Sequence, residues 1–134
     1  MYTLSKEIYF CYGRRLLNYK GKCAHPHGHN GKAVIELFSE KLDSRGMVRD
    51  FGVVKRLLRE WINKTIDHKM VLNKKDPLVP VLEKLGEPYL AIDGNPTAES
   101  LAKLIYDKAK KMGFPVARVV VWETRDSFAG YSAP

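Results

Sequence analysis

The chain has 134 residues, of which 45% are hydrophobic and 28% are charged, and its formal net charge at pH 7 is +8. This size and composition predict one globular domain over residues 1–134 and exclude fibrous and low-complexity proteins. No apolar run is long enough to cross a bilayer, so we expect a cytoplasmic protein with no membrane partner. The two cysteines are too few for a disulfide framework, and both are expected to be reduced thiols.

The surplus of basic residues limits the choice of partner. The chain has 23 Lys and Arg against 15 Asp and Glu, which predicts attraction to anions such as nucleotides, polyphosphates or nucleic acid. The basic residues are scattered, and no arginine-rich arm or aromatic-basic motif is present. A nucleic-acid partner is therefore not expected.

The first two predicted elements are strands. Residues 2–10 and 32–38 are rich in aromatic and β-branched residues, which favours an antiparallel pair. The connection between them carries a thiol and three imidazoles, Cys23, His25, His27 and His29. Because side chains alternate faces in extended backbone, all four would project to one side and could hold a metal, a nucleophile or both.

Chain geometry restricts the metal hypothesis. Residues two apart on a strand are separated by roughly 6.6 Å, so His27 and His29 could share one Zn²⁺. His25 and His29 would be about 13 Å apart, too far to chelate together unless the backbone bends. A third ligand is expected from elsewhere in the fold, and the His-x-His pair alone is equally consistent with ordinary surface or core histidines.

Two helices are predicted in the second half of the chain. Asp50 can cap a helix that runs to about Lys64 with one apolar stripe. A loop region rich in proline and glycine over residues 77–88 precedes a short strand at 89–92. A second helix begins at Asn95-Pro96-Thr97, and its apolar positions continue to Met112.

The chain then returns to a strand. Gly113 ends the second helix, and residues 116–123 are strongly apolar, followed by an irregular tail. The element order predicts an α+β fold, an antiparallel sheet with two helices packed on one face. The open edges and the barely covered second face of such a sheet favour oligomerisation.

Separated motifs along nearly the whole chain resemble one family, the 6-pyruvoyl- and 6-carboxytetrahydropterin synthases. They are Cys23-x-x-x-His27-Gly28-His29, the sequence Gly-Met-Val-Arg-Asp-Phe at 46–51, Asp67-His68, Pro-Thr-Ala-Glu at 96–99, and Glu123-Thr124. The resemblance implies the tunnelling fold, in which subunits form a trimeric barrel and two trimers stack into a hexamer. It also implies a substrate, 7,8-dihydroneopterin triphosphate, bound at subunit interfaces.

The resemblance also implies roles for individual residues. Cys23 would be the general base, and Asp67 and His68 would form a partner pair that moves a proton. Glu123 would accept hydrogen bonds from the guanidine-like edge of the pterin, with Thr97 as its helper. Without the resemblance, Glu123 is a charge at a strand end, Thr97 is a helix cap and Asp67-His68 is a charged helix end.

One position departs from the family pattern. The family's zinc site consists of three histidines, of which His27 and His29 match two, but the third position is occupied by Arg14. Arginine has no lone pair to offer a metal. Three explanations are open: His25 or Cys11 replaces the missing ligand; the guanidinium takes the metal's place and supplies fixed charge; or catalysis is lost and the fold binds a pterin or a partner.

By resemblance, the activity expected is that of a 6-carboxytetrahydropterin synthase, a lyase on the route to 7-deazapurines such as queuosine. A short chain with a Cys-x-x-x-His-Gly-His loop is closer to that branch. The alternatives are a 6-pyruvoyltetrahydropterin synthase, or a metal-depleted, rewired or non-catalytic pterin-binding paralogue.

Overall fold

The structure is a computed structural model, and it describes residues 1–134. It contains six strands and three α-helices. The strands are β1 (Tyr2–Arg14), β2 (His27–Ser39), β3 (Lys69–Asn73), β4 (Tyr89–Ile92), β5 (Val116–Trp122) and β6 (Phe128–Tyr131). The helices are α1 (Phe51–Thr65), α2 (Leu78–Leu85) and α3 (Ala98–Lys111), and a short 3₁₀ turn occupies Lys22–Ala24.

The strands form one sheet in the order β4-β3-β1-β2-β5-β6. The pairs β1–β2, β2–β5 and β5–β6 are antiparallel, whereas β1–β3 and β3–β4 are parallel. The α+β class is confirmed, but the sheet is mixed, not antiparallel throughout as predicted. The reason is that β3 runs antiparallel to β2 and therefore parallel to β1, while α2 serves as a crossover that joins β3 to the parallel strand β4.

Three helices, one more than predicted, lie on one face of the sheet. Helix α2 lies within residues 77–88, which were predicted to be a loop because they are rich in proline and glycine. Pro77 stands at the N-cap and Pro80 in the first turn, where a missing N–H costs no hydrogen bond within the helix. Strand β6 lies in the predicted irregular tail and is held by its ladder to β5.

The core lies between the sheet and the helices. It contains 23 buried residues, supplied by alternate positions of β1, β2 and β5 and by one stripe each of α1 and α3. Both predicted helix starts are confirmed: Asp50 Oδ1 accepts from Gly52 N at 2.7 Å, and Thr97 Oγ1 accepts from Ser100 N at 3.1 Å. None of the helices is long and apolar enough to span a membrane.

Strand pairing brings the sequence motifs to one corner of the sheet. At the end of β1 and the start of β2, Arg14 pairs with His27 and Tyr12 pairs with His29. Directly paired residues project to the same face, so these four side chains continue the core face of the sheet. Cys11 lies between Tyr12 and Phe10 and therefore projects to the opposite face.

Candidate functional site

A buried arginine organises the corner on the core face. The Arg14 side chain is only 5% exposed, and its guanidinium forms a bidentate ion pair with Glu123, whose second contact, Nη2 to Oε2, is 3.2 Å long. Nη1 also donates to the carbonyl of Pro96 at 3.1 Å, and Nε donates to His27 Nε2 at 3.3 Å. All three guanidinium nitrogens are thus engaged. We call Tyr12, Arg14, His27, His29 and Glu123 the arginine cluster.

Burial and the ion pair together determine the charges of this cluster. Burial opposes the charge on Arg14, but the hydrogen bond and the negative charge of Glu123 raise the pKa of the guanidinium, which remains a cation. Burial, together with the nearby Arg14 charge, lowers the pKa of His29. Burial likewise raises the pKa of Tyr12 to about 12. The corner therefore presents one permanent cation beside a neutral imidazole and a neutral phenol.

Two polar atoms of the cluster are buried without a hydrogen-bond partner. They are the Tyr12 hydroxyl and His29 Nε2, and the two rings stack with centroids 5.7 Å apart. Tyr12 was not predicted to belong to the site, although its spacing of two from Arg14 places both side chains on one face of the strand. An unpaired donor and acceptor at this position could each bind a polar atom of a ligand.

The residues present do not fit the zinc site that the family resemblance implies. His27 and His29 do come together, with ring centroids 4.9 Å apart. However, the Nε2 lone pair of His27 accepts from Arg14, and its Nδ1 faces the carbonyl of His25 at 2.7 Å. A zinc site of this type needs at least three protein lone pairs, and Arg14 supplies none.

Neither predicted substitute ligand lies in the zinc position. The His25 side chain is exposed, and this residue contributes only its backbone carbonyl to His27. Cys11 instead clusters with Asp67 and His68. Of the three explanations for Arg14, the geometry favours a guanidinium in place of the metal.

Cys11, Asp67 and His68 form a second group, which we call the thiol cluster. His68 Nδ1 lies 2.8 Å from Asp67 Oδ2, and His68 Nε2 lies 3.5 Å from Cys11 Sγ. The other carboxylate oxygen, Oδ1, accepts from Cys11 N at 2.9 Å. Partial burial opposes the charge of Asp67, but the hydrogen bonds from Cys11 N–H and His68 outweigh it and lower the pKa of this carboxyl.

The structure separates the predicted base from its predicted partner pair within one chain. Cys23 lies in the 3₁₀ turn, where its carbonyl accepts from Leu16 N at 2.8 Å. It forms no hydrogen bond with Asp67 or His68. Sequence spacing alone cannot reveal this, because the thiol that reaches His68 comes from β1.

An open depression lies beside the thiol cluster. It has a volume of about 510 Å³, and the residues that line it include Cys11, His27, His29 and His68. Its walls are the end of β1, the start of β2 and the start of β3. A ligand in this depression would lie beside Cys11 and His68.

Comparisons with known proteins agree with the motifs. A family model described as 6-pyruvoyl tetrahydropterin synthase matches residues 3–134. The 6-carboxy-5,6,7,8-tetrahydropterin synthase of Rickettsia typhi is 31% identical over 96% of this chain and 98% of its own length. The protein of the same name from Aquifex aeolicus is 37% identical over 82% of this chain and 75% of its own length.

Solved structures show the same fold. An uncharacterized protein from Wolinella succinogenes superposes with a TM-score of 0.83 at 26% identity, covering 99% of this chain and 98% of its own. The Caenorhabditis elegans 6-pyruvoyl tetrahydropterin synthase gives a TM-score of 0.74 at 21% identity, with coverages of 99% and 96%. Together with the family match over nearly every residue, these findings establish that the chain belongs to the 6-pyruvoyl tetrahydropterin synthase family.

Proposed function

We propose that this chain is a lyase of the 6-carboxytetrahydropterin synthase type, acting on 7,8-dihydroneopterin triphosphate on the route to 7-deazapurines such as queuosine. The observation that carries the proposal is the likeness over almost the whole chain to relatives named 6-carboxy-5,6,7,8-tetrahydropterin synthase. The net positive charge suits a triphosphate substrate. A cytoplasmic location remains a prediction.

The proposed catalytic roles follow the family motifs. Cys23 removes a proton from the pterin side chain, and His68, oriented by Asp67, moves a proton on the other side. Glu123 anchors the pterin, while Thr97 caps α3 next to Pro96, whose carbonyl binds Arg14.

This assignment requires more than one copy of the chain. In a single chain Asp67 and His68 contact Cys11, and Cys23 forms no hydrogen bond with either of them. We therefore propose a homo-oligomer, a trimer or a hexamer, in which Cys23 of one subunit meets Asp67 and His68 of another. The uncovered sheet face and the free edges of β4 and β6 provide surfaces for such assembly.

Arg14 alters the pterin anchor as well as the metal position. Its guanidinium presents two parallel N–H donors to Glu123, and the guanidine-like edge of a pterin presents the same pair. The two groups therefore compete for the same carboxylate oxygens. We propose that substrate reaches Glu123 only when Arg14 moves aside or retains a single hydrogen bond.

Arg14 at the third ligand position, where it offers no lone pair to a metal, favours one alternative function, a pterin-binding protein without turnover. The test is to incubate purified chain with 7,8-dihydroneopterin triphosphate, separate the products by chromatography, and measure pterin binding in parallel. The expected result is the 6-carboxy product, with turnover lowered at least about 100-fold in Cys23→Ala because a general base is lost. Binding without product in either protein would contradict the enzyme, and a 6-pyruvoyl product would move the assignment to that branch.

A further inference from the structure

The thiol cluster contains a group that the proposed function does not use. The Cys11 thiol lies 3.5 Å from His68 Nε2, while the other ring nitrogen of His68 is held by Asp67 at 2.8 Å. A thiol, an imidazole in contact with it and a carboxylate that orients the imidazole form the arrangement of an activated nucleophile. The assigned pterin chemistry uses Cys23, which leaves Cys11 without a role.

The backbone fixes this arrangement from two separate elements. His68 N donates to the carbonyl of Cys11 at 2.7 Å, and Cys11 N donates to Asp67 Oδ1 at 2.9 Å. His68 has a positive φ of 59°, a backbone conformation that residues other than glycine rarely adopt. Two backbone hydrogen bonds and a left-handed residue therefore hold the imidazole against the thiol.

The cluster is accessible from solvent. The His68 side chain is 78% exposed, Cys11 is partly exposed, and both line the open depression. A small molecule can therefore approach the sulfur from the side not occupied by the imidazole.

We propose that Cys11 is a nucleophilic thiol for small carbon electrophiles of the aldehyde class, with His68 as its base and Asp67 as a positioning residue. The Sγ–H proton passes to His68 Nε2 while the sulfur electron pair forms a bond to the carbonyl carbon. The π pair of the C=O bond moves to oxygen, which takes the proton back from His68. The product is a thiohemiacetal, and no oxidant or reductant is needed.

The test uses iodoacetamide, which alkylates the same sulfur: a bond forms between Sγ and the CH₂ carbon, and iodide leaves. Alkylation of Cys11 is followed by intact mass in the full chain carrying Cys23→Ser, so that one thiol remains. Native Cys11 is expected to react at least about tenfold faster than the same chain unfolded in urea. Adding His68→Asn, chosen because asparagine tolerates a positive φ, is expected to lower the native rate about 100-fold, the contribution of a general base.

A further variant and a control separate activation from folding. Asp67→Asn keeps an oxygen to accept from Cys11 N but turns an amide toward His68 Nδ1, so it should slow alkylation while circular dichroism remains unchanged. The matched control is His68→Asn in the chain unfolded in urea, where the alkylation rate of Cys11 should not respond to the substitution.

Three results would overturn the proposal. They are a native Cys11 rate no faster than in urea, an unchanged Cys11 rate in folded His68→Asn, or an equal effect of that variant on Cys11 in the unfolded chain. The first comparison needs no substitution at the cluster, so it holds even where a variant fails to fold. None of these measurements requires turnover of a pterin, so they stand apart from the proposed lyase activity.

Discussion

Arg14→His tests whether the guanidinium has replaced a metal. The substitution removes the bidentate pair with Glu123, and breaking a buried ion pair from one side costs about 3–5 kcal/mol. The Glu123 side chain is 21% exposed and can regain water, so we expect a loss of about 2–3 kcal/mol in the free energy of unfolding without metal. The new imidazole also completes a set of three with His27 and His29, the ligand count of a zinc site with one open position.

Zinc should therefore affect the variant and not the parent chain. Elemental analysis is expected to give about one zinc per chain for Arg14→His and almost none for the parent. In urea unfolding, zinc at about 100 times its dissociation constant should restore about 2.7 kcal/mol, which offsets the loss of the ion pair.

Arg14→Ala is the matched control, because it removes the same ion pair without supplying a ligand. It should lose similar stability in urea unfolding and gain nothing from zinc. A parent chain that holds about one zinc would refute the reasoning, since it would require a third ligand that the structure does not place near His27 and His29. Failure of Arg14→His to bind zinc would show that position 14 is not a ligand position.

Two further predictions concern stability. Hydrogen bonding to Arg15 lowers the pKa of buried Asp76 below its value in the unfolded chain. The ionised Asp76 therefore stabilises the folded chain above about pH 4, and this stabilisation is lost as the pH falls through the folded pKa. Asp76→Asn should therefore unfold about 2–3 kcal/mol more easily at pH 7 and show a flatter acid profile below pH 4; an unaltered acid profile in urea titrations would contradict this. Tyr12→Phe removes a buried hydroxyl without a partner and should stabilise the chain by about 1 kcal/mol in the same assay, whereas a loss of that size would reveal a partner for the hydroxyl.

Local signals predicted most of the fold. The helix starts at Asp50 and Thr97 were predictable because a capping side chain binds the backbone two or three residues further on. The alternation of apolar residues also correctly predicted β1, β2 and β5, since one face of each of these strands packs against helices. By contrast, β3 was missed and β6 was read as irregular tail, because each is short and is held in place by pairing with a neighbouring strand.

The candidate site also has features that the sequence predicts and features that it does not. By itself, the sequence determined the residue types: the paired histidines His27 and His29, the Asp67-His68 pair, and an arginine where the family resemblance implies a metal ligand. Only the tertiary structure decided that Arg14 binds Glu123 and that His68 faces Cys11. Residue identity and local spacing are properties of the chain, whereas these contacts join segments 109 and 57 residues apart, whose approach depends on strand order and on the faces that the packed sheet presents.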